Sequence, residues 1–522
     1  MRICLLSREY PPETGWGGIG AYSQQMARAL AELGHDVQVV CLTKRDAKTP
    51  DAFYMDGLVA VHRVAWAEPL EQWVLVLATL SNSHHLLKAA VAMWQKFLIL
   101  HREKPFDVVE APDHLAEGLF VAITGIAPLV VRLHTPHFKL VADGFHNLTR
   151  DLDNDVLANL ERLAIIEADV ASSPSRDLAA FVATSTGMTE DDIIIVRNPV
   201  DTQKFCPEGE KACPPGVRPD GSEAPIVFFA GRLEARKGIQ YLIDAVPLVV
   251  EQIPRAQFVV LGADTLTGVN GGSVREALVR QLQANGLSSS VFFLDHVPLA
   301  DMPNYYRMAD LCVVPSLYDN APYTVLEALA SGKAVVASTA GGTPEYIKVN
   351  VNGLTVPKED SQALAQAIIS LLGDRQKLAA FSVGARAAAV DEYALNTIAA
   401  QALQSYELAA KRHKERQGKR IYRKSPELLV DDLNGLLGSY HHRLHKFGED
   451  LSIRYRSRKW VSMLKTRPRL LLGYAGLSIG KLLAQCFRPA SAGFRQRLER
   501  LEAELDKKLQ VPAPESREAQ KL

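Results

Sequence analysis

The sequence predicts an α/β protein built as two successive units, each a parallel sheet covered by helices, followed by a basic helical extension. Three observations carry this. Short runs of Val, Ile, Leu and Phe alternate with longer amphipathic stretches through residues 3–173 and again through 226–337, the succession of a parallel sheet covered on both faces. Between the two series lies a stretch bearing Pro, Gly and Cys without any period, 202–224. The charge is also divided: residues 411–522 hold 26 Lys and Arg against 12 Asp and Glu, which leaves 33 against 47 in the rest of a chain whose totals are 59 and 59. At 522 residues the chain exceeds one ordinary core. Its 47% hydrophobic and 23% charged residues are those expected of a soluble globular protein.

In chain order, Ile3–Ser7 reads as a buried strand, Tyr22–Leu33 as an amphipathic helix stopped by Gly34-His35, and Asp36–Leu42 as the second strand. Leu58–Val64 is a strand and Leu70–His101 a long apolar helical stretch. Asp107–Glu110, Leu129–Leu133 and Asp169–Ser173 are further strands, with Asn154–Glu167 helical before the last. Asn198-Pro199-Val200-Asp201 closes the unit. The second unit has strands at Ile226–Ala230, Phe258–Leu261, Val291–Leu294, Leu311–Val314 and Ala334–Ala337, with helices between. The boundaries expected are 1–201, a linker 202–224, 225–390, a returning helix 391–410, the extension 411–510 and a disordered tail 511–522.

The chemistry concentrates in Pro315–Glu345, where a strand runs into a loop and a helix starts near Tyr323. The first N–H groups of a helix have no intrahelical partner and its dipole is positive there, so an anion is welcome. Glu327, just inside the helix, suits a ribose diol, because a carboxylate accepts from two adjacent hydroxyls. Asp319, in the loop, suits the hydroxyls of a second sugar. Phosphate between two polyols describes a nucleotide-sugar. Arg232 and Lys237, five positions apart beyond strand Ile226–Ala230, can face one anion as a planar fork and a point charge, whereas Arg236 reads as solvated.

Gly15-Trp16-Gly17-Gly18-Ile19-Gly20 lies between the first strand and the first helix, where glycines let backbone amides approach an anion. The letters satisfy G-x-G-x-x-G. Seven residues, Arg8 to Thr14, separate them from the strand, and no ribose-binding acid ends strand two, so a dinucleotide cofactor is not expected. Asp151-Leu152-Asp153 spells D-x-D but opens a helix, where acids favour the dipole; no metal is expected there.

Taken together, these motifs resemble the family 4 retaining glycosyltransferases over roughly residues 1–410. Their signature is two glutamates separated by seven residues; here Asp319 stands for the first, Glu327 for the second, and Asn320-Ala321-Pro322 replaces the usual Gly-Phe-Gly. The resemblance implies the GT-B architecture, two Rossmann-like domains facing across a cleft, with a last helix, Leu395–Ala410, crossing back onto the first. It implies that Gly17 and Gly18 reach towards the donor phosphates, that Arg232 and Lys237 hold the diphosphate, and that His134 lies near the sugar. The Tyr323 and Thr324 amides would grip the leaving group, and the Val297 backbone would meet the base. His114 is similarly placed to His134. Catalysis would rest on His134, Arg232, Lys237 and Asp319, without cofactor or metal. With no evident carboxylate nucleophile, retention would follow front-face attack, the donor phosphate taking the acceptor proton. Donor sugar, base and acceptor (glycan, lipid or small molecule) stay open. A binding protein that has lost turnover, or a GT-B epimerase, are the alternatives.

Six cysteines without paired spacing favour a reducing cytosol, and Met1-Arg2 leads straight into a strand rather than a signal peptide. In the extension, Lys411–Lys424 carries eight Lys and Arg against one Glu, and Arg454–Trp460 repeats the basic theme with aromatics. Leu470–Phe487 is apolar but interrupted by Lys481. Residues 411–490 therefore suit an anionic membrane surface on the inner face, or fold back onto the acidic body, or meet a partner. Phe494–Leu509 has helical apolar spacing, and nucleic acid is not expected for want of a recognisable module.

Overall fold

The computed structural model describes residues 1–14, 17–44, 51–66, 81–144, 151–218, 224–268, 271–295 and 297–416. The expectations for Gly15 and Trp16, for 70–80 and for 417–522, including Leu470–Phe487 and Phe494–Leu509, lie outside the described residues.

The first lobe runs β1 (Arg2–Leu6), α1 (Gly18–Glu32), β2 (Asp36–Leu42), β3 (Ala52–Asp56), β4 (Val59–Val64), α2 (Ser81–Glu103), β5 (Val108–Pro112), α3 (Leu119–Thr124), β6 (Leu129–Arg132), α4 (His137–Ala142), α5 (Leu152–Glu167), β7 (Val170–Ser173), α6 (Arg176–Thr186) and β8 (Ile193–Ile195). The second continues with β9 (Ile226–Ala230), α7 (Ile239–Gln252), β10 (Gln257–Leu261), α8 (Val274–Ala284), β11 (Val291–Leu294), α9 (Met302–Met308), β12 (Leu311–Val314), α10 (Tyr323–Ala330), β13 (Ala334–Ser338) and β14 (Gly353–Val356). Three helices close the described chain: α11 (Ser361–Leu372), α12 (Arg375–Glu392) and α13 (Leu395–Arg416). The sheet orders are β3-β4-β2-β1-β5-β6-β7-β8 and β11-β10-β9-β12-β13-β14. This is an α/β protein with two Rossmann-like parallel sheets, the GT-B architecture.

Parallel strands covered on both faces are read as unbroken apolar runs; β1, for instance, is buried along its whole length. The edge of the first sheet departs from that rule. The sequence reading begins a single strand at Leu58, but Ala52–Asp56 also pairs, antiparallel, with β4. Gly57, at φ +62°, opens the two-residue turn between them. As an edge strand β3 shows Phe53 and Met55 to solvent, 62% and 55% exposed, so its apolar residues do not mark a core face. Helix α1 also begins earlier than expected, at Gly18 with Gly17 as N-cap, because glycines that read as loop form its first turn.

The lobes are joined twice. Val200 N–H donates to Tyr393 O at 2.8 Å where the chain leaves the first lobe and where it returns. Helix α13 then lies against α1 and across β5, β6 and β7. Its buried stripe is Ile398, Ala399, Ala402, Tyr406 and Ala409 at helical spacing, the three alanines letting the helix approach closely while Ile398 and Tyr406 fill the seat. Tyr406 donates its hydroxyl to Glu110 Oε2 at 2.8 Å, partnering a fully buried carboxylate. Beyond this, the last described turn of α13, residues 411–416, stays packed on the first lobe. His413 Nδ1 meets Asp169 Oδ2 at 3.1 Å, and Arg416 donates to Ala168 O at 2.6 Å and meets Glu167 at 3.4 Å. Among the described residues, no helix is long and apolar enough to cross a membrane.

Candidate functional site

In each sheet the strand order reverses beside the first strand: β1 stands between β2 and β5, and β9 between β10 and β12. Loops leaving the strand ends on either side of such a reversal diverge and leave a crevice. The glycine loop follows β1, the Arg232–Lys237 loop follows β9 and the Asp319 loop follows β12. The motifs read from sequence therefore sit at the two places where this topology opens.

The second-lobe half is built by a close backbone pass. Gly238 has φ +67°, and a Cβ there would stand 1.8 Å from the Pro315 carbonyl oxygen, so only glycine permits the approach. Leu317 N–H donates to Arg236 O at 2.8 Å across this pass. Lys237 Nζ is thereby delivered to Asp319, donating to Oδ2 at 2.6 Å. Arg236 is not solvated as expected: its side chain is 16% exposed, donates to Tyr318 O at 3.1 Å and to Glu234 at 2.8 Å, and stands 3.9 Å from Asp319. Buried Glu234 draws it inward. Arg232 is the exposed cation of the loop, its side chain 59% accessible and 3.4 Å from Glu234. The structure thus brings Lys237 and Arg236 together at Asp319 and leaves Arg232 at the rim. Burial pushes the Asp319 carboxyl up, but the Lys237 and Arg236 charges outweigh it and hold the group below its ordinary value.

Helix α10 starts at Tyr323 after Pro322, with no side-chain cap. The Tyr323 and Thr324 amides accordingly have no intrahelical acceptor. One turn on, Glu327 accepts from Tyr306 Oη at 2.7 Å through Oε2. Burial raises its carboxyl to about 7 although that hydrogen bond pulls the other way. Val297 is partly buried against the second-lobe core.

The first lobe contributes Gly18, where a Cβ would lie 3.9 Å from the Tyr323 ring, and Gly17, where it would lie 3.5 Å from Glu9 Oε2. The glycine turn thus faces the start of α10 across the cleft. His134 follows β6, its ring edge-on to Tyr22 with centroids 5.0 Å apart. Its backbone N–H donates to Asp113 Oδ1 at 2.8 Å. Burial holds the imidazole well below its ordinary pKa, so it is a neutral hydrogen-bonding group. Beneath it a small cavity is lined by Tyr22, Glu110, Arg132 and His134 among others. His114 opens a turn in which Leu115 and Ala116 have φ of 60° and 48°, held by Glu161 accepting from Leu115 N–H at 2.8 Å. The D-x-D acids serve structure: Asp151 caps α5 by accepting from Asn154 N–H at 2.8 Å, and Asp153 accepts from Ser83 Oγ at 2.7 Å.

Sequence reading passed over Tyr306, whose contact with Glu327 spans 21 positions, and the polar residues at the lobe junction. One signal for the latter was available: Asn320 is a hydrogen-bonding residue where the resemblance expects glycine.

Comparison with known proteins agrees with this geometry. Residues 17–199 match the model of the glycosyl transferase 4-like domain, and 218–388 that of the glycosyl transferases group 1. An uncharacterized glycosyltransferase of Methanocaldococcus jannaschii is 26% identical over 420 residues, covering 78% of this chain and 98% of its own. Glycogen synthase of Mycobacterium tuberculosis is 26% identical over 426 residues, 79% of this chain and 95% of its own. The solved structure of Anabaena HepE in complex with UDP superposes with a TM-score of 0.57 at 22% identity, over 78% of this chain and 100% of that one.

Proposed function

Because the chain belongs to the glycosyltransferases of GT-B fold, we propose that it moves a sugar from a nucleotide-diphosphate sugar to an acceptor hydroxyl, with retention at the anomeric carbon and no metal ion. The observation that carries this reading is the meeting of Lys237, the free amides of Tyr323 and Thr324, and the Gly17-Gly18 turn at one cleft. Fixed positive groups of this kind stabilise charge that develops on a departing diphosphate without reorganising. Glu327, steadied by Tyr306, would accept from the ribose diol through its remaining oxygen. Lys237 and Asp319 hold each other in place; an arriving diphosphate takes over Lys237 and releases the Asp319 carboxylate towards the sugar hydroxyls. The acceptor oxygen then bonds to the anomeric carbon as the carbon–phosphate-oxygen bond breaks on the same face. The acceptor proton passes to that phosphate oxygen and the nucleoside diphosphate leaves.

A melting-temperature panel with UDP, GDP and ADP tests the reading first. A diphosphate at a hundred times its dissociation constant stabilises the fold by about 2.7 kcal/mol. The matching nucleotide-sugar should then be consumed at the same rate with and without EDTA. If none of the three raises the melting temperature, or Lys237→Ala leaves the rise intact, the donor assignment is wrong.

A further inference from the structure

We infer that Asn320 is a positioning residue that clasps the donor-side loop to the first lobe, holding the two halves of the cleft in register before a donor arrives. The inference rests on the donor reading above for its kinetic consequence and on geometry alone for the clasp. Asn320 Nδ2 donates to the His134 carbonyl at 2.6 Å, and its Oδ1 accepts from Ser175 Oγ. One side chain of the second lobe thus binds two strand-end loops of the first. Asn320 is 4% exposed and Ser175 fully buried, so the contact is closed to water. Ser175 is itself fixed, because its Oγ caps α6 by accepting from Leu178 N–H at 3.2 Å.

The neighbouring contacts run in the same sense. Asn198 donates to Ala321 O at 3.2 Å. Glu345 of the second lobe accepts from the Arg176 and Asp177 amides, both at 3.0 Å, and from Arg197 at 2.7 Å. The backbone at the clasp leaves no spare room: a Cβ at Gly342 would stand 2.1 Å from the Asn320 carbonyl oxygen and 2.4 Å from Ser175 Cβ. Glycine at position 320, the residue the resemblance expects, would present no side chain to His134 or Ser175. The sequence departure therefore creates the bonds to His134 and Ser175, two of the interlobe contacts. Asp319 precedes the clasp and Tyr323 follows within one turn, so what fixes Asn320 also fixes the sugar-side carboxylate and the helix start opposite Gly18.

A protein whose binding-competent state is only partly populated shows an apparent affinity reduced by that fraction. Loosening the clasp should consequently weaken donor binding and spare the chemical step. Asn320→Gly, Ser175→Ala and the double variant are made in the full chain. In the unliganded protein, amide exchange in segments 173–180 and 316–323 should rise about fivefold in Asn320→Gly, as expected for a lowered local opening energy. Whichever of UDP, GDP or ADP stabilises the unaltered chain should bind Asn320→Gly about tenfold more weakly. Nucleotide-sugar KM should rise in proportion, with kcat within about twofold. Ser175→Ala also removes the α6 cap, so the double variant is decisive: it should be no worse in donor affinity than the weaker single variant. Unchanged exchange in both segments, or fully additive losses, overturns the clasp. If no diphosphate binds the unaltered chain the donor reading fails, while the exchange comparison still decides the clasp.

Discussion

Lys237 and Asp319 form a mostly buried pair whose members need each other. Removing one partner of such a pair leaves the other charge uncompensated. Lys237→Ala should cut turnover by about 10² or more, the scale for losing a charge-stabilising donor. Lys237→Arg keeps the charge but replaces the compact ammonium with a bulkier planar guanidinium, and partial recovery would mark an electrostatic role; steady-state rates compare the two. Glu327 gives a pH signature. Its carboxyl, raised to about 7 by burial, is largely protonated at pH 6 and ionised at pH 8. The ionised form accepts the ribose hydroxyls more strongly, so donor KM should fall as pH rises through about 7. Glu327→Gln should abolish that slope and hold KM high. The neutral His134 contributes no titration over the same range.

At the scale of elements, the sequence disclosed what packs inward and hid what packs at edges. The strands of both sheet centres were legible because their cores are short apolar runs, even where one, β5, carries the buried Glu110. Strand β3 was hidden by its exposed Phe53 and Met55, β8 by its length of three residues, and α6 by a Ser-, Thr- and Ala-rich sequence with a thin apolar stripe. The site divides similarly. Loop motifs such as Arg232–Lys237 were visible as letters, but the pairing of Lys237 with Asp319 crosses 82 positions and depends on how closely two loops pass. That pass makes a prediction of its own. Gly238→Ala places a methyl 1.8 Å from the Pro315 carbonyl at a φ of +67°. Positive φ alone costs a non-glycine residue about 1–3 kcal/mol, and the overlap adds to it. Thermal melts should show a fall of many degrees, and a variant melting like the unaltered protein would mean that the loops separate without cost.

Across the whole molecule, the unusual electrostatic feature is a set of carboxyls buried in the first lobe. Burial raises Asp113 to about 7 and both Glu117 and Glu161 to about 8. Their ordinary values lie near about 4, so between there and about 8 the folded chain binds more protons than the unfolded one. Stability from these groups is complete below the ordinary carboxylate range and is lost as pH climbs through the folded values. His114 and His134, held low by burial, oppose this only below about 6.5, where unfolded histidine takes up a proton. The melting temperature should accordingly decline from pH 6.5 to 8.5. A flat or rising profile would show these acids ionised in the fold.

Helix α13 has a consequence for how the chain is made. The first lobe receives its closing helix from the far end of the described chain, after the whole second lobe. On a ribosome adding about 5–20 residues per second, some two hundred residues separate the last strand of the first sheet from that helix. For tens of seconds the seat that Ile398 and Tyr406 will fill stands uncovered on a nascent lobe, and Glu110 waits there for a hydroxyl not yet synthesised. Slower translation of residues 196–394 should lengthen that exposure and lower the yield of native protein, which expression from synonymous-codon variants checks.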